Sequence, residues 1–195
     1  IISNPDVKNV YEIPLILSKQ NIEKRIMEKL GLKVKKPELA QWENLVRTIK
    51  ADKKKKIQIA IVGKYFGTGN YQLKDAYAAL FDAIDHASWH AGTEVDLKMI
   101  SAEKVEKEGV EAIGNPDGII VPIGWGDRGA EGMISAASFA RKNKIPYLGL
   151  CYGMQLAAVA FARDVLGLKD ANTSENNPNS KNQVIHIIEN QKSLI

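Results

Sequence analysis

Gly149-Leu150-Cys151-Tyr152-Gly153-Met154-Gln155 sets the chain's single cysteine at the centre of Gly-x-Cys-x-Gly. Pro146-Tyr147-Leu148 upstream is an apolar run of strand length, and the Ala-rich stretch downstream through Val159 and Leu166 keeps a helical spacing. A strand that turns sharply into a helix needs small residues two positions either side of the turning residue. Gly149 and Gly153 supply them. This is the thiol counterpart of the Gly-x-Ser-x-Gly elbow, where a strained turn lifts a nucleophile above a sheet and backbone N–H groups face it. A helix beginning at the elbow also favours negative charge on the sulfur or on a substrate oxygen. The chemistry indicated is attack on a carbonyl carbon. The plainer reading is a small buried hydrophobe at a strand end, since free Cys is among the most buried residue types.

A second segment, Val121-Pro122-Ile123-Gly124-Trp125-Gly126-Asp127-Arg128-Gly129, carries three glycines in six residues, which lets backbone N–H groups approach a ligand closely. Facing Cys151, the N–H groups of Gly124 and Tyr152 would form an oxyanion hole for acyl transfer. Alone, the segment reads as an ordinary Gly-rich turn. Gly67-x-Gly69 lacks the third glycine and the following lysine of a phosphate loop and reads as a flexible turn. A cysteine acyl-transfer site also needs a base, usually His. His86 and His90 stand four apart near a helix end and suit a surface face or a dipole contact. No Cys or third carboxylate completes a metal set with them, so no metal site is expected. His186, inside the last strand pattern, reads as structural. No histidine here is a convincing partner for Cys151.

The elements that must position these residues follow from periodicity. Residues 1–18 are apolar but short and interrupted by Pro14. Helical patterns cover Asn21 to Leu30, closed by Gly31, and Pro37 to Ile49; the lysine-rich run Ala51 to Lys56 reads as a linker. From Ile57 strands and helices alternate. Strands are expected at Ile57–Gly63, Glu94–Ile100, Asp117–Pro122, the elbow strand and Val184–Ile188. Helices are expected at Lys74–His90, Ser101–Ile113, Gly132–Asn143 and after Cys151. Alternation implies right-handed crossovers and an open, mostly parallel α/β sheet with helices on both faces, preceded by a short helical linker. In such sheets ligands bind beyond the carboxyl ends of the strands, where both the Ile123–Gly129 loop and the Cys151–Gln155 turn fall.

At 195 residues and 45% hydrophobic, the chain can bury one sizeable core with an appendage. A net charge of +4, concentrated in Lys53-Lys54-Lys55-Lys56, reads as a solvated linker rather than a nucleic-acid surface. One cysteine excludes an internal disulfide and suits a reducing, cytoplasmic setting. No apolar run approaches the ~20 residues that span a membrane. The start Ile1-Ile2-Ser3-Asn4 reads as a piece of something longer.

With these motifs placed, the sequence resembles the CTP synthase family, class I (triad-type) glutamine amidotransferases fused to an amidoligase. Tyr11-Glu12-Ile13-Pro14-Leu15, Val62-Gly63-Lys64-Tyr65, Asp75-Ala76-Tyr77, Gly126-Asp127-Arg128-Gly129, Ile145-Pro146-Tyr147-Leu148-Gly149, Cys151-x-Gly153-Met154-Gln155 and Ala171-Asn172-Thr173-Ser174-Glu175 carry the likeness. It implies an amidoligase tail at 1–18, interdomain linker helices at 19–56 and a glutamine amidotransferase domain at 57–195 whose C-terminal part is missing. It implies that Cys151 attacks the side-chain amide of L-glutamine, giving a thioester and ammonia. Gly124 and Tyr152 would serve the oxyanion, with Gly153, Met154, Gln155 and Glu175 around the glutamine. Glu175 would take its α-ammonium, and Arg128 would belong to the surface where GTP activates.

The fragment would hold no cofactor of its own. The full enzyme, a homo-oligomer, would use ATP and Mg²⁺ in its amidoligase domain to aminate UTP to CTP. The family's His-x-Glu pair lies beyond the last residue here, so the piece alone is expected to turn over glutamine very slowly or not at all. Departures stand out. Ile123 replaces the first of two adjacent glycines, which is strained by ~1–3 kcal/mol if that position needs φ > 0. Tyr152 replaces the usual Leu, harmless if only its N–H is used. Gly67 to Gln72 looks like an insertion, and Ala79 stands for Ser. Two other readings stay open: a catalytically inactive glutaminase-like binding or assembly module, and a different cysteine hydrolase built on the same elbow.

Overall fold

The computed structural model describes residues 1–68, 71–72 and 75–188. Its centre is a sheet of four parallel strands, β1 (Lys55–Gly63), β4 (Thr93–Ser101), β5 (Gly118–Val121) and β6 (Tyr147–Gly149), in the order β4-β1-β5-β6. β2 (Gly67–Thr68) and β3 (Tyr71–Gln72) form a small antiparallel pair; β7 (Asn172–Thr173) and β8 (Gln183–Ile185) form a separate parallel pair. The helices are α1 (Ile13–Lys19), α2 (Ile22–Lys29), α3 (Ala40–Lys50), α4 (Ala78–Ala91), α5 (Ala102–Glu108), α6 (Ala130–Lys142) and α7 (Tyr152–Asp164).

The two-residue period of the strands divides the core in two. On one face Ile59, Ile61, Leu97, Met99 and Ile120 pack against Leu80, Phe81 and Ile84 of α4, with Phe66 and Tyr77 completing the cluster. On the other, Ala60, Val62, Ile100, Ile119 and Val121 meet α5, α6 and α7 through Val105, Met133, Ile134, Leu156 and Val159. Fully burying one such side chain contributes ~1.5–3 kcal/mol. The expected α/β architecture, with helices on both faces of a parallel sheet, is the one observed. Alanines in α6 and α7, and Gly132 in α6, let the helices approach closely; a Cβ on Gly132 would lie 1.9 Å from the carbonyl oxygen of Ala102.

Several boundaries differ from the sequence reading, each for a local reason. Lys55 and Lys56 belong to β1, in register with Thr93 and Glu94, and Lys56 pairs with Glu94 at 2.9 Å, so the last two residues of the lysine run are strand. Pro14 does not interrupt residues 1–18; it sits in the first turn of α1, where its missing N–H has no intrahelical partner to lose. The helix expected over Pro37–Ile49 begins at Ala40. The helix expected over Ser101–Ile113 stops at Glu108, because Gly109 takes φ +89°; a single 3₁₀ turn, Val110–Ala112, follows. α4 begins at Ala78 after a 3₁₀ turn at Asp75–Tyr77; Lys74, and Gly69 of the expected Gly-rich turn, lie outside the described residues. The strand expected over Val184–Ile188 is only Gln183–Ile185 and stands outside the main sheet. Its two-residue partner turns away after the Ser174 N–H bonds to Ile185, leaving nothing for His186 to pair with.

The N-terminal helices are tied to α4 by an aromatic cluster. Tyr11 packs edge-on against Trp89 and His86 and beside Trp42, whose Nε1 donates to the Tyr11 carbonyl at 2.6 Å. Tyr11 and His86 share a short hydrogen bond.

At the α6–α7 junction Asp164 accepts from Ser138 (2.7 Å), Arg141 (2.8 Å) and Lys142 (3.3 Å). The Arg141 guanidinium foremost holds its carboxyl down at about 2, below the ordinary 3.8. A depressed folded-state value means the contribution is present above pH ~4 and is lost as the pH falls toward 2. Asp164→Asn is therefore expected to be less stable than wild type at pH 7 and to show a shallower loss of stability between pH 4 and 2, read from urea midpoints across that range.

Candidate active site

Three strand ends and one turn converge at the carboxyl edge of the sheet. β6 ends at Gly149, and the chain reverses through Cys151 into α7. Cys151 is exposed and takes φ +53°, ψ −107°, a conformation that costs a non-glycine residue ~1–3 kcal/mol. Both flanking glycines are required by contact. A Cβ on Gly149 would come within 2.6 Å of the Met154 nitrogen, and one on Gly153 within 2.0 Å of the Val121 carbonyl oxygen. The Leu150 N–H donates to that same Val121 carbonyl at 2.9 Å, which fixes the elbow to β5. The bland reading of Cys151 as a buried hydrophobe fails on its exposure.

The loop leaving β5 lies beside the elbow. The Trp125 ring stands 5.7 Å from that of Tyr152. Gly124 is buried, with the Lys64 side chain 3.1 Å from where a Cβ would sit. Ile123 is absent from the positive-φ residues, so the strain anticipated there does not arise; its carbonyl accepts from the Tyr77 hydroxyl at 2.8 Å. Burial pushes the Tyr77 phenol up to about 12. Among the described residues, neither the Gly124 N–H nor the Tyr152 N–H has an acceptor.

Two side chains to which the motifs assigned no task of their own shape this loop. Lys64, 5% exposed at the end of β1, donates to the carbonyls of Trp125 (3.0 Å) and Gly126. Its Nζ lies 5.1 Å from the centroid of the Tyr152 ring. Burial lowers the Lys64 ammonium below its ordinary range, and the Glu175 charge opposes that shift. The signal available in the sequence was a lysine placed directly after a β-branched strand. Tyr152 itself is fully buried and donates through its hydroxyl to Asn176 Oδ1, so the substitution expected to be harmless has a structural task. Burial, and then the Glu175 carboxylate, raise its phenol.

Glu175, in the turn after β7, accepts from the Gly126 N–H at 2.7 Å through Oε1. The structure thus brings Cys151, Tyr152, the Gly124–Gly126 loop and Glu175 into one region. Gly153 is buried in the first turn of α7, Met154 is exposed, and Gln155 is half-buried with its N–H on the Cys151 carbonyl at 3.2 Å. Arg128 is exposed and pairs with Glu103 of α5 at 3.1 Å. No histidine joins the group: His86 is held by Tyr11, His90 is exposed in the last turn of α4, and His186 is exposed beyond β8. No cluster of His, Cys, Asp or Glu suited to a metal ion exists among the described residues.

Independently of this geometry, the sequence matches a known family. The chain belongs to the class-I glutamine amidotransferases, whose sequence model matches residues 72–194. Over its full length it is similar to CTP synthases. It is 46% identical to that of Sulfolobus acidocaldarius and 45% to that of Carboxydothermus hydrogenoformans, with 100% of this chain aligned to 36% and 35% of theirs. The chain therefore spans about a third of the length of the curated relatives it matches. Among solved structures, the glutaminase domain of Trypanosoma brucei CTPS with bound acivicin superposes with a TM-score of 0.63 at 35% identity, covering 70% of this chain and 52% of that one.

Proposed function

We propose that this protein is the glutamine-hydrolysing part of a CTP synthase. Cys151 Sγ bonds to the carboxamide carbon of L-glutamine, and the oxyanion that forms is met by the Gly124 and Tyr152 N–H groups. The C–N bond then breaks, the nitrogen leaves as ammonia with the thiol's proton, and a glutamyl thioester remains; water releases glutamate and restores the thiol. Oε2 of Glu175, which has no hydrogen-bond partner among the described residues, receives the α-ammonium of glutamine. Gln155 contacts the substrate one turn into α7. The proton transfers belong to the His-x-Glu pair of the full enzyme. There the ammonia reaches an amidoligase domain that aminates UTP, where ATP would be consumed with Mg²⁺ as its cofactor and GTP would act near Arg128.

The observation that carries this reading is the pair of unpaired amides beside a strained, exposed cysteine. Ile123, offered as a sign of decay toward an inactive module, is not among the positive-φ residues. In the full enzyme an electrophilic glutamine analogue is expected to alkylate Cys151 alone, as read by peptide mass spectrometry, and excess L-glutamine is expected to slow that labelling at least tenfold. A folded protein whose Cys151 stays unmodified, or is modified equally with and without glutamine, would sink the assignment.

A further inference from the structure

The glutamine chemistry assigned above asks only for the backbone N–H of Tyr152, yet its side chain is the largest fully buried one among the described residues. The ring lies 5.7 Å from that of Trp125 and 5.1 Å from the Lys64 ammonium, and the hydroxyl reaches the turn that carries Glu175. There the phenol donates to Asn176 Oδ1, with the Gly126 carbonyl 3.5 Å away.

Asn176 has little else to hold it. Its Nδ2 is buried without a partner, and its backbone N–H bonds locally to Thr173 Oγ1 at 3.0 Å. The hydroxyl of Tyr152 is therefore the long-range anchor of the Asn176 amide. The adjacent residue, Glu175, is joined to the loop by one bond, to the Gly126 N–H. Two links thus close a ring: elbow to turn through Tyr152–Asn176, and turn to loop through Glu175–Gly126. The turn keeps its own bonds either way, Asn176 N–H to Thr173 Oγ1 and Asn177 N–H to the Thr173 carbonyl at 3.0 Å, but without the first link only the Gly126 bond ties the exposed Glu175 carboxylate to the loop.

We propose that the Tyr152 side chain is a positioning residue for glutamine binding: by anchoring Asn176 it fixes the Glu175 carboxylate against the Gly124–Gly126 loop and so sets the affinity for the amino-acid substrate. This rests on the glutaminase reading. It also gives the elbow two separate duties at one residue, an N–H toward the oxyanion and a hydroxyl toward the substrate-binding turn.

The test uses the full enzyme and the variants Tyr152→Phe, Asn176→Ala and the pair together. Phenylalanine keeps the ring and its packing and removes only the hydroxyl. The L-glutamine concentration that half-protects Cys151 from the electrophilic analogue, and KM for glutamine, are expected to rise about five- to tenfold in each single variant. KM should rise by more than kcat falls, and the double variant should match the singles rather than multiply them. A purely structural role would lower the unfolding midpoint while leaving half-protection where it was. Unchanged half-protection in Tyr152→Phe, or multiplicative effects in the double variant, would overturn the proposal while leaving the glutaminase reading intact. Failure of glutamine to protect the wild-type thiol would overturn both.

Discussion

Cys151→Ala in the full enzyme is expected to lose glutamine-dependent CTP formation by on the order of 10⁴-fold or more in kcat, since removing a covalent nucleophile removes the route and not merely a contact. Alanine is the informative choice. It retains a Cβ and so carries the same left-handed backbone penalty as cysteine at φ +53°, leaving the elbow's geometry under the same constraint. Because Cys151 is exposed, losing its sulfur opens no core cavity, and the unfolding midpoint should stay near wild type. CTP formation supplied with free ammonia should persist, because that route bypasses the thioester. Coupled measurement of glutamate release and CTP formation checks both halves. Glutamine-dependent turnover within tenfold of wild type would remove Cys151 from the mechanism.

The largest expected effect on stability comes two residues later. In Gly153→Ala the new Cβ would meet the Val121 carbonyl oxygen at 2.0 Å and its carbon at 2.7 Å, both backbone atoms of β5. No side-chain rotation relieves that overlap, so α7 or β5 must shift by about an ångström. Overpacking against rigid backbone places the cost on the order of 3 kcal/mol or more. Gly167→Ala provides the contrast. Gly167 has φ +71° with nothing within 4 Å, so only the conformational penalty remains, about 1 kcal/mol. Urea midpoints of the two variants separate the explanations. Equal destabilisation would mean that close approach to β5 contributes nothing.

How much of this was legible beforehand depends on the length scale of the signal. The β-branched run Ile57–Gly63 and the helical stripe of α4 are local patterns, and both elements are found there, though β1 starts two residues earlier and α4 starts only at Ala78. The elbow was legible for the same reason: small residues at fixed offsets from Cys151 encode a steric demand, and the contacts of Gly149 and Gly153 bear it out. Pro14 misled because a proline is a breaker inside a helix but not in its first turn. Gly109 was read through because one glycine in a helical pattern declares a stop only when its φ is known. The duties of Lys64, Tyr152 and Asn176 were out of reach for a different reason. Each depends on partners 24 to 62 positions away, and no periodicity records such a meeting. The separate β7–β8 pair was missed likewise, since a strand pattern does not name its sheet.

The seat of the elbow on β5 has a consequence for how the chain matures. β5 lies between β1 and β6, all three parallel, so each pairing must wait for closure of a long intervening segment, and such topologies assemble slowly. The Leu150 N–H and the face of Gly153 both need Val121 already in position. A collapsed chain with β5 undocked would carry the thiol but not its strained presentation. Burst-phase refolding should therefore recover helical signal before reactivity toward the glutamine analogue, making the sulfur itself a clock for the last step of assembly.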